Sequence, residues 1–181
     1  KLIGFEVELA NVLCGYMGCG KSTVGQLLSE KLNVDFLEID TEIEKKENSS
    51  ITDIFQENGE IYFRKIENIV LNEVLKTSKN EVISLGGGTP CYANNLHLLK
   101  SNEHVKLFYL KMTPQNLTAR LINEKQKRPL INHLQTEEKL EEYIRKHLFE
   151  RQFYYLQSDF MIDANAKSVE ELTEEIINLL Q

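Results

Sequence analysis

Short apolar runs alternate along the chain with longer stretches whose apolar residues recur every three or four positions. The first pattern marks buried strands and the second amphipathic helices. Val12-Leu13-Cys14 predicts a buried strand that ends at Gly15. Residues 23–32 place Val24, Leu27, Leu28 and Leu32 on one face, which predicts a helix. Further strands are predicted over 34–39, 82–85, 105–110 and 160–162. Thr41, with Glu44 three positions on, forms a capping-box pattern for a helix to about residue 47. Ser50 caps the next, with Ile54 and Phe55 turned inward. Phe63, Ile66, Val70 and Val74 define the buried face of a longer helix over 60–76. Pro114 suits the first turn of a helix, and 137–156 and 169–180 also read as helices. Strands alternating with helices predict an α/β fold: three layers, with a five-stranded parallel sheet covered on both faces. No repeat or low-complexity linker divides the chain, so residues 1–181 read as one domain. Residues 1–10 read as a short leading strand or as a remnant outside the fold.

Composition narrows the function. Hydrophobic residues make up 41% and charged residues 27%, a soluble globular balance. Lys and Arg total 21 against 28 Asp and Glu, a net charge of −7. Nucleic acid as a general partner needs a basic face, so it is not expected. No apolar run reaches the roughly 18 residues of a spanning helix, so no membrane partner is expected. Glu6 and Glu8 interrupt the first apolar stretch, unlike a secretory signal. Cys14, Cys19 and Cys91 form neither a disulfide framework nor a C-x-x-C metal pair, and the expected compartment is the cytoplasm. His97, His104, His133 and His147 lack metal spacing and read as surface or edge residues. Only five of the basic residues are Arg: Arg64, Arg120, Arg128, Arg145 and Arg151. Arg is the residue of forked carboxylate and phosphate recognition, so the placement of these five carries information.

Gly15-Tyr16-Met17-Gly18-Cys19-Gly20-Lys21-Ser22 fits G-x-x-x-x-G-K-[ST], between a predicted strand and a predicted helix. The glycines let backbone N–H groups wrap a phosphate chain, and the helix N-terminus adds a favourable field. Gly18, Cys19, Gly20, Lys21, Ser22 and Thr23 are therefore candidate ATP contacts. Lys21 is placed to reach the β and γ phosphates, and the Ser22 hydroxyl to hold Mg²⁺. Two readings stand for Cys19. A helix N-terminus lowers a thiol pKa, but with no base or second Cys nearby the plainer reading is a small neutral filler. No guanine-reading N-K-x-D occurs, which sets aside GTPases, and the chain is short for a motor. A small-molecule kinase remains, and it needs an acceptor pocket, a charge clamp and a lid that excludes water. Strand alternation puts the Glu38 and Asp40 carboxylates on one side of a strand end beside the loop. Glu67, one turn after Arg64, is spaced to orient its guanidinium. Residues 123–135 are polar, basic at the start, and read as a mobile loop between two helices.

Several ordered blocks then combine: the phosphate loop, Phe36-Leu37-Glu38-Ile39-Asp40, Ile54-Phe55 with Gly59-Glu60 and Phe63-Arg64, and Ser84-Leu85-Gly86-Gly87-Gly88. Lys127-Arg128-Pro129-Leu130 and Glu150-Arg151 leading to Tyr154 or Tyr155 complete the set. From about residue 11 to the C-terminus the chain resembles the shikimate kinase family. The resemblance implies a P-loop kinase fold with acceptor-binding helices over about 41–78 and a mobile lid over about 123–135. It implies transfer of the γ-phosphate of ATP, with Mg²⁺, to the 3-hydroxyl of shikimate on the route to aromatic amino acids. It implies Lys21, Asp40 and Arg128 as catalytic residues, Asp40 being the favoured base. Arg64, Gly87 and Arg151 would hold shikimate together with Asp40, and Arg120 and Arg128 would meet the phosphates of ATP. The family's first acid, usually Asp, lies near Mg²⁺; here it is Glu38, longer by about 1.5 Å, which reaches the metal through water. Phe55 and Phe63 either wall the acceptor ring or belong to the core. The adenine contact falls within 163–168, where the likeness is loose. The family implies a monomer.

Two other readings remain at this point. One is a related P-loop kinase for another small hydroxy acid such as gluconate, which the Arg64–Gly87–Arg151 constellation separates from the first reading. Glu38 also fits a non-catalytic homologue that binds shikimate or nucleotide. Four of the five Arg fall at expected anion contacts, and Arg145 has no assigned role. The deciding observation is whether Arg64, Gly87 and Arg151 converge beside Asp40 within reach of the phosphate loop.

Overall fold

A computed structural model describes residues 8–181. The expected strand or remnant over residues 1–10 lies mostly outside them, and only Ala10 joins a strand. Five strands form one sheet in the order β2-β3-β1-β4-β5. They are β1 (Ala10–Cys14), β2 (Phe36–Glu38), β3 (Val82–Ser84), β4 (Val105–Lys111) and β5 (Phe160–Asp163). Every pairing is parallel, as the strand–helix alternation requires. In the centre, Leu13 pairs with Ser84 on one side and Phe108 on the other. All five residues of β1 are buried, Asn11 included, which is why Val12-Leu13-Cys14 reads as an apolar run rather than an alternation.

Among the described residues seven α-helices accompany the strands: α1 (Lys21–Leu32), α2 (Ile39–Glu47), α3 (Ile51–Thr77), α4 (Asn95–Lys100), α5 (Pro114–Leu121), α6 (Glu137–Tyr155) and α7 (Val169–Leu180). Helix α1 packs against α7, α2 against α3, and α5 against α6. With every strand parallel, the loops after β1, β2 and β3 open at one edge of the sheet, where α/β proteins bind their ligands.

Helix starts follow local chemistry. The Ser50 hydroxyl accepts from the Asp53 N–H at 3.1 Å, as expected. Thr113 and Thr136 cap α5 and α6 in the same manner, and Ser168 with Glu171 forms a full capping box on α7. The capping box expected at Thr41 and Glu44 is absent. Strand β2 ends at Glu38 and the chain enters α2 directly at Ile39, so Thr41 already lies in the first turn. Glu44 instead accepts from the Ile51 N–H at 3.0 Å and ties α2 to α3. Helix α3 is broken at Gly59, whose φ of 82° interrupts it just before the segment predicted from residue 60. Among the described residues no helix is long and apolar enough to cross a membrane.

The capping difference is measurable. Ser168→Ala is expected to destabilise the protein by about 1 kcal/mol, because it strands N–H groups at the start of α7. Thr41→Ala is expected to change stability by less than about 0.5 kcal/mol. Urea unfolding of the two variants beside the parent checks both values.

Candidate active site

The phosphate loop turns from β1 into α1. Gly15 has a φ of 147°, and a Cβ there would lie 2.8 Å from both Cys19 Sγ and the Leu110 carbonyl oxygen. Cys19 is thus the filler beneath the loop, fully buried. The Lys21 ammonium is tucked under the same loop and donates to the carbonyls of Gly15 at 2.8 Å and Tyr16 at 3.2 Å. Beside it, the Ser22 hydroxyl donates to the Glu38 carboxylate. The Arg120 guanidinium leans over the loop, 3.5 Å from where a Cβ on Gly20 would stand. One cavity is lined by Lys21, Ser22, Thr23, Glu38, Asp40 and Arg120.

A second cavity of about 280 Å³ adjoins it, lined by Asp40, Phe55, Phe63, Arg64, Gly87 and Arg151. That volume lies just below the roughly 300–1,000 Å³ of drug-sized sites, so a compact occupant suits it. Asp40, Gly87 and Arg128 line both cavities, which are two halves of one site.

The glycine turn after β3 draws this site together. A Cβ on Gly86 would stand 2.9 Å from Asp40 Oδ1. On Gly87 it would meet the Met17 N–H nitrogen at 3.2 Å and Arg151 Nη1 at 3.4 Å. On Gly88 it would meet Arg64 Nη1 at 2.7 Å and Arg151 Nη2 at 3.0 Å. The expected convergence of Arg64, Gly87 and Arg151 beside Asp40 and the loop is therefore present. The sequence reading singled out Gly87 alone, whereas its two neighbours make the closer approaches.

The charges here are unevenly paired. Arg64 Nη1 donates to Glu67 at 3.0 Å, and its guanidinium lies 3.9 Å from the centroid of the Tyr92 ring. Glu67 is 1% exposed and also accepts from the Thr89 hydroxyl at 2.9 Å, so it orients Arg64 as its spacing implied. Burial raises the Glu67 pKa, and Arg64 opposes that rise. Arg64 Nε is buried and pairs with the Glu60 carboxylate at 3.5 Å without making a hydrogen bond. Arg151 is 5% exposed, and among the described residues it has no acidic partner. A buried guanidinium without an acidic partner beside a second, partly buried one has the chemistry to seat a carboxylate. Tyr155, rather than Tyr154, completes the wall by donating its hydroxyl to the Gly87 carbonyl.

Asp40 stands in the first turn of α2, not on the strand, so strand alternation does not explain its placement. It shares the cavity with Glu38 because the chain passes from strand to helix without a turn. Its carboxylate opens into the cavity yet is ringed by protein. That enclosure raises its pKa, Lys21 and Arg64 pull it down, and Glu38 pushes it up.

Residues 123–135 connect α5 to α6 without an α-helix of their own: a 3₁₀ turn spans Lys125–Lys127, Ile131 is fully buried, and Lys125 donates to the Leu134 carbonyl at 2.6 Å. Arg128 Nη2 lies 3.5 Å from Glu124. His147, read as a surface or edge residue, is partly exposed, and α6 turns it against the phosphate loop, where Nδ1 is 3.0 Å from the Tyr16 hydroxyl. Burial, with Arg151 and Arg64 nearby, pushes its pKa down to about 4, so it is neutral at pH 7. No spacing rule marks His147 or Tyr92, since each meets its partner only through the fold. Arg145 is exposed and pairs with Glu141 one turn earlier on α6.

The family model described as shikimate kinase matches residues 17–181. The chain belongs to the shikimate kinase family. It is 47% identical over 169 residues to the shikimate kinase of Flavobacterium johnsoniae, covering 93% of this chain and 97% of that protein. It is 43% identical over 169 residues to that of Flavobacterium psychrophilum, with the same two coverages. Among solved structures, the shikimate kinase of Acinetobacter baumannii in complex with shikimate superposes with a TM-score of 0.83 at 34% identity. That match covers 95% of this chain and 93% of the other. A gluconokinase from Sinorhizobium meliloti reaches a TM-score of 0.57 at 16% identity, a likeness of fold alone. It covers 95% of this chain and 91% of that one. Of the three readings that the residues left open, the shikimate kinase one is favoured.

The raised pKa of Asp40 has a consequence for stability. A carboxyl whose folded-state pKa exceeds its unfolded value costs stability once ionised, and the cost grows as pH rises through that pKa. Asp40→Asn is therefore expected to raise the denaturation midpoint at pH 7 and to lose that advantage at a pH below the ordinary carboxylate range. Urea midpoints of parent and variant at the two pH values check the sign.

Proposed function

We propose that this shikimate kinase transfers the γ-phosphoryl group of ATP to the 3-hydroxyl of shikimate through the two adjoining cavities. The observation that supports the assignment of the acceptor half is the buried guanidinium of Arg151, without an acidic partner among the described residues, beside the guanidinium of Arg64. A carboxylate bound bidentately there answers both groups. Phe55 and Phe63, with ring centroids 4.5 Å apart, wall the carbocyclic ring. The carboxylate of shikimate at this seat directs a hydroxyl of the ring toward Asp40, at the boundary with the nucleotide half.

Catalysis then rests on placement and on charge. The hydroxyl proton passes to Asp40 as the hydroxyl oxygen bonds to the γ-phosphorus. The bond from that phosphorus to the β–γ bridging oxygen breaks and ADP leaves. An Asp whose pKa is raised is a better proton acceptor than an ordinary one. Lys21 exchanges its loop carbonyls for the phosphates, and Arg128 exchanges Glu124 for the transferring group as residues 123–135 close and exclude water. Arg120 holds the phosphate chain from the opposite side. Gly18, Cys19, Gly20 and Thr23 contact it as part of the loop and the first turn of α1.

The oxygen donors of Ser22 and Glu38, already in contact, fit a small hard cation that takes its remaining ligands from phosphate and water. Mg²⁺ there would neutralise charge on the β and γ phosphates. Helices α2 and α3 form the acceptor-binding part of a single domain. We place the enzyme as a monomer in the cytoplasm. Its free cysteines suit a reducing compartment, and burial pushes the Cys14 thiol up to about 12 and Cys91 up to about 11.

Coupled ADP release over shikimate, gluconate and nucleoside monophosphates tests the acceptor. Turnover is expected on shikimate, and turnover on another acceptor with none on shikimate refutes the assignment. Arg151→Ala is expected to raise the KM for shikimate at least about tenfold while moving the KM for ATP little.

Glu38→Asp gives a separate test. The shorter side chain withdraws from Ser22, so the Mg²⁺ concentration for half-maximal rate is expected to shift severalfold. Shikimate affinity should stay nearly unchanged. A Mg²⁺ dependence identical to the parent's removes Glu38 from the cation site.

A further inference from the structure

One stripe of α6 carries His147, Arg151 and Tyr155, spaced four residues apart and so aligned along one face. Each of the three meets a different part of the site. His147 shares a 3.0 Å hydrogen bond with the Tyr16 hydroxyl. Arg151 reaches the glycine turn, and Tyr155 donates to the Gly87 carbonyl. Arg151 therefore sits midway between two hydrogen-bonded anchors, one on the phosphate loop and one on the acceptor turn.

Tyr16 belongs to the phosphate loop, but its side chain points away from the nucleotide cavity and is 1% exposed. A buried hydroxyl needs a partner, and His147 is the one it has. The two rings meet edge to face with centroids 5.4 Å apart, and Tyr143 packs against the other side of His147 at 5.3 Å. The neighbouring loop residue, Met17, places its backbone nitrogen against Gly87. A shift of the loop on binding phosphate thus has two contiguous paths to the turn and to the helix that bear the clamp.

We propose that Tyr16 and His147 are a positioning pair that couples the phosphate loop to Arg151, so that nucleotide binding tightens the hold on the acceptor carboxylate. The pair acts through Arg151 and touches neither substrate. The inference rests on the shikimate kinase reading and extends it to the coupling between the two substrates. Tyr16→Phe keeps the buried ring and removes the bond. His147→Leu removes the partner, and His147→Asn keeps a polar atom near the position of Nδ1.

Calorimetric titration of shikimate, with and without a non-hydrolysable ATP analogue and Mg²⁺, reads the coupling as a ratio of dissociation constants. The parent is expected to bind shikimate more tightly with the analogue present. In Tyr16→Phe and His147→Leu that ratio should fall toward one. The KM for shikimate should rise about threefold to tenfold, the yield of one modest hydrogen bond, while kcat stays within about twofold. His147→Asn should retain most of the ratio. A ratio of one in the parent, or an unchanged ratio in Tyr16→Phe, overturns the inference even where shikimate binds normally. A parent that binds no shikimate overturns the functional reading with it. Should His147→Leu fail to fold, Tyr16→Phe decides alone.

Discussion

Two guanidinium groups and one carboxylate close on a turn that has no side chains of its own. The absence of Cβ atoms at residues 86–88 is the constraint on which the rest of the site depends. Arg64 from α3, Arg151 from α6 and Asp40 from α2 approach that turn so closely that a methyl group at Gly86 or Gly88 would displace one of them. The turn also touches the phosphate loop at Met17. Donor and acceptor halves therefore share a wall only one residue thick. Proximity of that kind is the main resource of a phosphoryl transferase, which has little covalent chemistry to perform.

The charge balance follows from the same arrangement. The molecule carries a net charge of −7, yet Lys21, Arg64, Arg120, Arg128 and Arg151 surround the two cavities. Holding buried guanidinium groups without full compensation is costly, and Glu67 offsets part of that cost for Arg64. Thr89 and Tyr92 hold the Glu67–Arg64 pair from the other side of the turn. On the proposed reading, an anionic acceptor would satisfy the remaining donors of Arg151 and Arg64, and affinity for it would be stored in the fold before it arrives.

Much of this was legible in the residues. The phosphate loop announced itself because its glycines, Lys21 and Ser22 sit at a strand-to-helix junction that apolar periodicity alone locates. The inner strands β1, β3 and β4 were legible because burial on both faces leaves short apolar runs, whereas β2 and β5 at the edges are only partly buried. Arg64 and Arg151 were marked by scarcity and by neighbours. Asp40 was found, but for an incomplete reason: no Gly or Pro separates β2 from α2, so the period of the strand was carried two residues too far. Thr41 was misread as a cap from the same junction. His147 and Tyr92 were opaque, since their partners Tyr16 and Arg64 lie far off in sequence and no local pattern records a packing contact between distant elements. Arg145 carries only an exposed ion pair along its own helix, which matches its lack of an assigned role.

The central claim is that Arg151 and Arg64 form a carboxylate seat. Calorimetric titration of the parent enzyme and of Arg151→Ala with shikimate and with its methyl ester tests it most directly. The ester keeps the ring and hydroxyls but lacks the charge. The seat predicts that the parent binds the ester at least about tenfold more weakly than the acid, and that the gap narrows in Arg151→Ala. Equal affinity of the parent for acid and ester, or a gap that Arg151→Ala leaves unchanged, would contradict it.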